Sequence, residues 1–197
     1  MDEKVHQKIA EAVKAEYGWK AEEVAIDEVE RMRRASCTFY TARSTARPLS
    51  YQPNYAVLRG SEVIGISDHD AVTKILDACS VDAPADWWAE VLTRFHQDVG
   101  GGLVLTDESV RPDVVRKLEK SGKPFTPPKF GEAKQSVSFL LLDPEAYIVY
   151  HVKATRTPTG SFEVVKTKLL GKSFGGGADT SSTPANAGEK VEQALRS

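Results

Sequence analysis

Six arginines fall within residues 31–61, at positions Arg31, Arg33, Arg34, Arg43, Arg47 and Arg59, and no lysine or carboxylate lies among them. Phe39, Tyr40, Tyr51 and Tyr55 are interleaved with them. A guanidinium is planar, holds phosphate or carboxylate through two parallel bonds, and stacks on aromatic rings. A face built from Arg31, Arg33, Arg34, Arg43, Arg47, Tyr40 and Tyr51 would therefore suit a protein or other anionic partner. The preceding segment argues for a second outcome. Residues 1–30 carry nine acids and four lysines. If Glu22, Glu23, Asp27 and Glu28 fold against the arginines, the face neutralises itself, and the sequence favours this outcome. The whole chain has a net charge of −2, so no global field draws it to nucleic acid, and no nucleic-acid-binding signature is present.

The remaining reactive residues are sparse. The histidines are His6, His69, His96 and His151. Asp68-His69-Asp70 and His96-Gln97-Asp98 set carboxylates beside imidazoles, but neither has the spacing that presents metal ligands on one helix face. Asp68 and Asp70 read as acids favoured at a helix start. Cys37 and Cys79 are a lone pair that permits one disulfide, but they sit among apolar neighbours and the favoured reading is two reduced core thiols. No local Cys–His signature accompanies them. Gly171-Lys172-Ser173 resembles the end of a phosphate loop, but the glycine required five residues earlier is Lys166. Gly100-Gly101-Gly102 lacks the spaced dinucleotide pattern. Neither metal nor organic cofactor is implied, no catalytic set emerges, and the reading leans away from an enzyme. Trp87 and Trp88 are adjacent, so on a helix they point about 100° apart. Either both enter one broad core or one lies at a groove edge.

These residues must be positioned by elements that the pattern supplies. The clearest is Gln135–Leu170. Ser136–Leu142, Tyr147–Arg156 and Ser161–Leu170 are strand-like runs separated by Asp143-Pro144-Glu145 and Thr157-Pro158-Thr159-Gly160. Pro second and Gly fourth suit type I turns, so a three-strand antiparallel meander is expected. Val5, Ile9, Ala12, Val13 and Tyr17 form one stripe of a helix over 3–17 that Gly18 ends. Val24–Glu30 and Ser36–Arg43 read as strands. Tyr55–Arg59 and Glu62–Ile66 read as a hairpin through Gly60-Ser61. Ser67 and Asp70 resemble a capping box for a helix carrying Val72, Ile75, Leu76 and Cys79. A second helix runs through about His96, Leu103–Leu105 forms a short strand, and Asp113–Ser121 forms a further helix. Lys123–Gly131, with three prolines, reads as an extended connector.

The sum is an α+β fold: an antiparallel sheet of hairpins with amphipathic helices packed on one side. In general arrangement it is similar to cystatin-like and NTF2-like folds, where a long helix crosses a curved antiparallel sheet. Residues 1–172 read as one domain, with two lobes, 1–67 and 68–172, as the alternative. Residues 173–197 read as a flexible tail rich in Gly, Ser, Thr and Ala. The chain as given has no apolar run that could span a bilayer and no signal core, which gives a cytoplasmic, membrane-free expectation. Three functions compete. The first is a non-enzymatic binding or protein-interaction domain that uses the Arg/Tyr hairpin face or a sheet edge. The second is a small-molecule-binding or enzymatic domain with a pocket between helix and sheet that holds His151, Tyr150 or His96. The third, a structural subunit of a larger assembly, predicts large exposed apolar patches.

Overall fold

Val5, Ile9, Ala10 and Val13 are buried along one stripe of helix α1, Glu3–Tyr17. Gly18 follows with φ +68°, a conformation that glycine adopts freely. In this computed structural model the described residues are 3–46, 52–59, 62–68, 70–80 and 82–171. Arg47, Tyr51, the Gly60-Ser61 turn, His69, Lys172 and the 173–197 tail lie outside them.

Helix α1 covers one face of a first sheet. Its strands are β1 (Val24–Glu28), β2 (Cys37–Ser44), β3 (Asn54–Leu58) and β4 (Val63–Gly65), antiparallel and in chain order. Val24, Tyr40, Ala42, Tyr55 and Val57 meet Val5, Ile9, Val13 and Trp19 there. Ile9 is fully buried. Ile9→Ala is expected to cost about 2–5 kcal/mol in a urea melt. A loss under about 0.5 kcal/mol would make α1 peripheral.

The opposite face of this sheet presents Cys37, Phe39, Ala56 and Ile64 to helices α2 (Ala71–Cys79) and α3 (Ala85–Phe95). Beyond those helices lies a second antiparallel sheet, formed by β5 (Leu103–Val104), β6 (Lys129–Phe130), β7 (Ser136–Asp143), β8 (Ile148–Arg156) and β9 (Phe162–Leu170). Its order is β5-β7-β8-β9, with β6 also on β7. The expected meander is therefore present, and the chain is α+β with helices packed on antiparallel sheets. Asp143 Oδ1 accepts the Glu145 and Ala146 N–H groups to close the first turn, and the Gly160 N–H donates to the Thr157 carbonyl in the second. Helix α4 (Pro112–Lys120) lies on the far face of the second sheet, with Val114 and Leu118 against Leu140, Leu142 and Val149.

Trp87 and Trp88 are both buried because α3 runs between the two sheets. Trp87 meets Phe39 of the first sheet edge-on, and its Nε1–H donates to the Met32 carbonyl at 2.9 Å. Trp88 meets Phe130 and Phe162 of the second sheet. The 100° offset sends one ring to each layer.

Three expectations are corrected. Cys37 and Cys79 are joined as a disulfide, with Cα atoms 5.9 Å apart, and are not two reduced thiols. The end of α2 lies directly under β2, which a separation of 42 residues does not disclose. Ser67 does not cap α2. Its hydroxyl donates to Glu16 of α1, and the cap position, Asp70, has no side-chain cap bond. The strand expected over Val24–Glu30 ends at Glu28, and Glu30–Met32 forms a short 3-10 turn, so no continuing strand puts Arg31 and Arg33 on one shared face.

Candidate functional site

Strand β1 places Asp27 and Glu28 on opposite faces, since successive strand side chains alternate. Each takes one arginine. Arg43 donates from Nε to Asp27 at 2.8 Å. Arg33 makes a two-pronged pair with Glu28, at 2.7 and 2.8 Å. Arg31 reaches instead to Glu90 on α3, at 3.0 Å. Glu90 also pairs with Arg94, 3.4 Å away, so one carboxylate sits between two guanidiniums. Arg94 donates at 2.7 Å to Asn54 Oδ1, which also accepts the Thr41 hydroxyl. Burial pushes Arg94 below the ordinary arginine value, Glu90 opposes that shift, and the neighbouring Arg31 adds to it. Arg34 stacks on the Trp87 ring, 5.4 Å from its centroid. Tyr40 is 5% exposed, in the core under α1. Arg47 and Tyr51 lie outside the described residues.

The arrangement thus separates these side chains. Arg33 and Arg43 are held by carboxylates on opposite faces, Arg31 turns to α3, Arg34 lies on a tryptophan, and Tyr40 faces inward. Of the four acids expected to neutralise the arginines, Asp27 and Glu28 do so, whereas Glu23 lies by Lys20 at 3.9 Å. Glu90 and Arg94 were missed, because they belong to a helix distant in the chain and only the fold brings them to β2 and β3.

Three concave places among the described residues bear on function. The first, about 330 Å³, lies where α2 starts and α3 ends, with Asp68, Asp70, His96 and Asp98 on its walls. His96 Nδ1 accepts the Asp98 N–H at 3.3 Å, and Nε2 lies 3.3 Å from the Phe162 carbonyl. With Nδ1 accepting, the proton belongs on Nε2, and the ring straps α3 to β9. Asp68 Oδ2 accepts the Gly65 N–H at 3.0 Å. Both groups are engaged in holding the fold. Among the described residues no group of three or more His, Cys, Asp or Glu side chains is placed to hold a metal.

The second, about 350 Å³, is a groove between α4 and the ends of β7, β8 and β9. At its border Arg111 grips Asp113 through two bonds of 3.0 Å. That grip holds the Asp113 carboxyl down at about 2. A depressed carboxyl contributes stability above its unfolded value, near 3.8, and loses it as pH falls through about 2. An NMR titration should therefore show Asp113 titrating near 2. A midpoint near 3.8 would mean that the pair does not persist in solution.

The third, about 520 Å³, is the uncovered part of the second sheet's outer face, around Ser138, His151 and Lys153. Register sets Lys129, Ser138, Lys153 and Val165 side by side across β6, β7, β8 and β9. Strand β9 closes this sheet, and among the described residues no strand pairs with its second edge. Val165, at 55% exposure, is the more exposed of the two large apolar side chains, Val165 and Tyr147, that face solvent among the described residues. Comparison with protein-family models, with curated proteins and with solved structures returned no match.

Proposed function

We propose that this chain is a non-enzymatic binding domain whose partner adds an extended strand along β9. The observation that carries this is the open edge itself. The strand is nine residues long; His96 meets its Phe162 carbonyl and Lys123 Nζ donates to its Leu169 carbonyl, and between these two points it bears the exposed Val165. Strand addition draws its affinity from main-chain hydrogen bonds and its selectivity from alternate side chains, and an unpaired edge offers both. Edge lysines usually blunt such pairing; of the two in β9, Lys168 is exposed and Lys166 is folded back. Its Nζ donates to the Val99 carbonyl at 2.8 Å and lies 4.7 Å from the centre of the Tyr150 ring. The packed core and the engaged His96 support binding over catalysis. The arginine face is the weaker candidate, because Arg31, Arg33 and Arg43 already have carboxylate partners.

The test is affinity capture with mass spectrometry on wild type, Val165→Asp and Arg33→Ala/Arg43→Ala chains, with heparin titration at low and moderate salt. The expected result is a partner that wild type and the arginine variant retain and Val165→Asp loses, with only weak heparin binding. A partner retained by Val165→Asp and lost by the arginine variant would overturn the edge reading. So would the absence of any specific partner.

A further inference from the structure

Beyond the β9 edge and independent of it, the groove beside α4 has the make-up of a ligand site. Its floor is apolar: Val114 from the helix, Leu142 and Val149 from β7 and β8, and Leu170 from β9. Its helix wall carries two cations, Lys117 and Lys120, both exposed. Neither has a carboxylate partner among the described residues. They lie three apart on α4, which puts them one turn apart on the same side. Lys117 Nζ stands 6.0 Å from the Tyr147 ring centre on the opposite wall. An apolar trough with two ammonium groups on one lip is complementary to a chain that is apolar along its length and anionic at one end.

Tyr147 gives an independent reason to expect a selected site. It adopts φ +56°, where a bulky side chain is strained and glycine is not. The backbone alone would be better served by glycine. The tyrosine keeps its ring between Arg111, at 5.6 Å, and Lys117, and forms the outer wall of the groove. Residues held at such φ values concentrate at ligand clamps and similar sites.

We infer that this groove binds a small amphipathic carboxylate of the medium-chain fatty-acid class, with the acyl chain on Val114, Leu142, Val149 and Leu170 and the carboxylate at Lys117 and Lys120. No covalent step is involved. Binding replaces hydrated apolar floor with acyl contacts and gives the ammonium groups an anion that no described carboxylate supplies.

The experiment uses the full chain, with octanoate as probe and octan-1-ol as its uncharged counterpart, followed by calorimetry and ligand-observed NMR. Octanoate should bind saturably at a single site and more tightly than octan-1-ol. Lys117→Glu/Lys120→Glu should weaken octanoate by at least about ten-fold, the equivalent of one lost charge-assisted contact, and leave octan-1-ol unchanged. Tyr147→Gly should weaken octanoate several-fold without lowering Tm, because glycine accepts the same φ. This variant separates loss of the wall from loss of the fold. Non-saturable octanoate binding would overturn the proposal, and so would equal octanoate affinity in the lysine variant. A lysine variant that loses octan-1-ol to the same degree would place the effect in the apolar floor and overturn the charged recognition.

Discussion

Truncating either Trp87 or Trp88 to alanine is expected to cost about 3–5 kcal/mol, the range for large aromatic side chains removed from a packed core. Both rings are at or below 5% exposure and each packs α3 against a different sheet. Phenylalanine substitution should separate them. Trp87→Phe removes the donor to the buried Met32 carbonyl, and leaving that acceptor unpaired costs about 1–3 kcal/mol. Trp88 Nε1 is buried with no partner among the described residues. Trp88→Phe therefore removes an unsatisfied donor and keeps most of the ring contact with Phe130 and Phe162, so its net cost should be near zero. Chemical denaturation of the four variants checks this. Equal losses for the two Phe variants would mean that the Met32 bond contributes nothing.

Opening the Cys37–Cys79 disulfide is expected to cost about 4 kcal/mol. The chain-entropy argument puts closure of a loop of about 40 residues between the values for loops of 15 and 100 residues, roughly 3 and 4.7 kcal/mol. The separation here is 42 residues. The measurement is a denaturant melt of the oxidised chain against the same chain in reductant, with Cys37→Ala/Cys79→Ala as a control. A difference under about 1 kcal/mol would show that α2 is already held firmly against β2 by packing. Disulfides persist in oxidising compartments and are reduced in the cytosol, so where the chain resides decides which stability applies.

The parts legible in the sequence were those decided locally. Asp-Pro and Pro-x-Gly signals fixed the meander turns to within a residue or two, because each turn is closed by bonds inside its own segment. Helix α1 was legible because its stripe and its terminal Gly18 lie in one stretch. Pairings across the fold were not. Arg31 could not be assigned to Glu90, nor Cys37 to Cys79, nor Ser67 to Glu16, because each partner lies on an element whose placement depends on packing. The apolar groove was invisible for the same reason: its floor combines residues from α4, β7, β8 and β9. The second sheet behind α3 explains Trp88, and nothing in a helical stripe alone reveals that a helix has cores on two sides.

Strand β7 carries a consequence for the order in which the molecule opens. Its Phe139 and Leu141 belong to the core around α3, while Leu140 and Leu142 belong to the core under α4. A fluctuation that lifts α4 exposes only the second pair, and β7 stays paired with β8 and pressed against α3. A fluctuation in α3 leaves it pressed against α4. Amide protons of β7 can therefore reach solvent only when both cores are lost together, so they should exchange last, at the rate of global unfolding. Those of α4 should exchange earlier. The strand shared by two cores thus makes the unfolding of one conditional on the other, and it couples the groove at one end of the second sheet to the tryptophan layer on its opposite side.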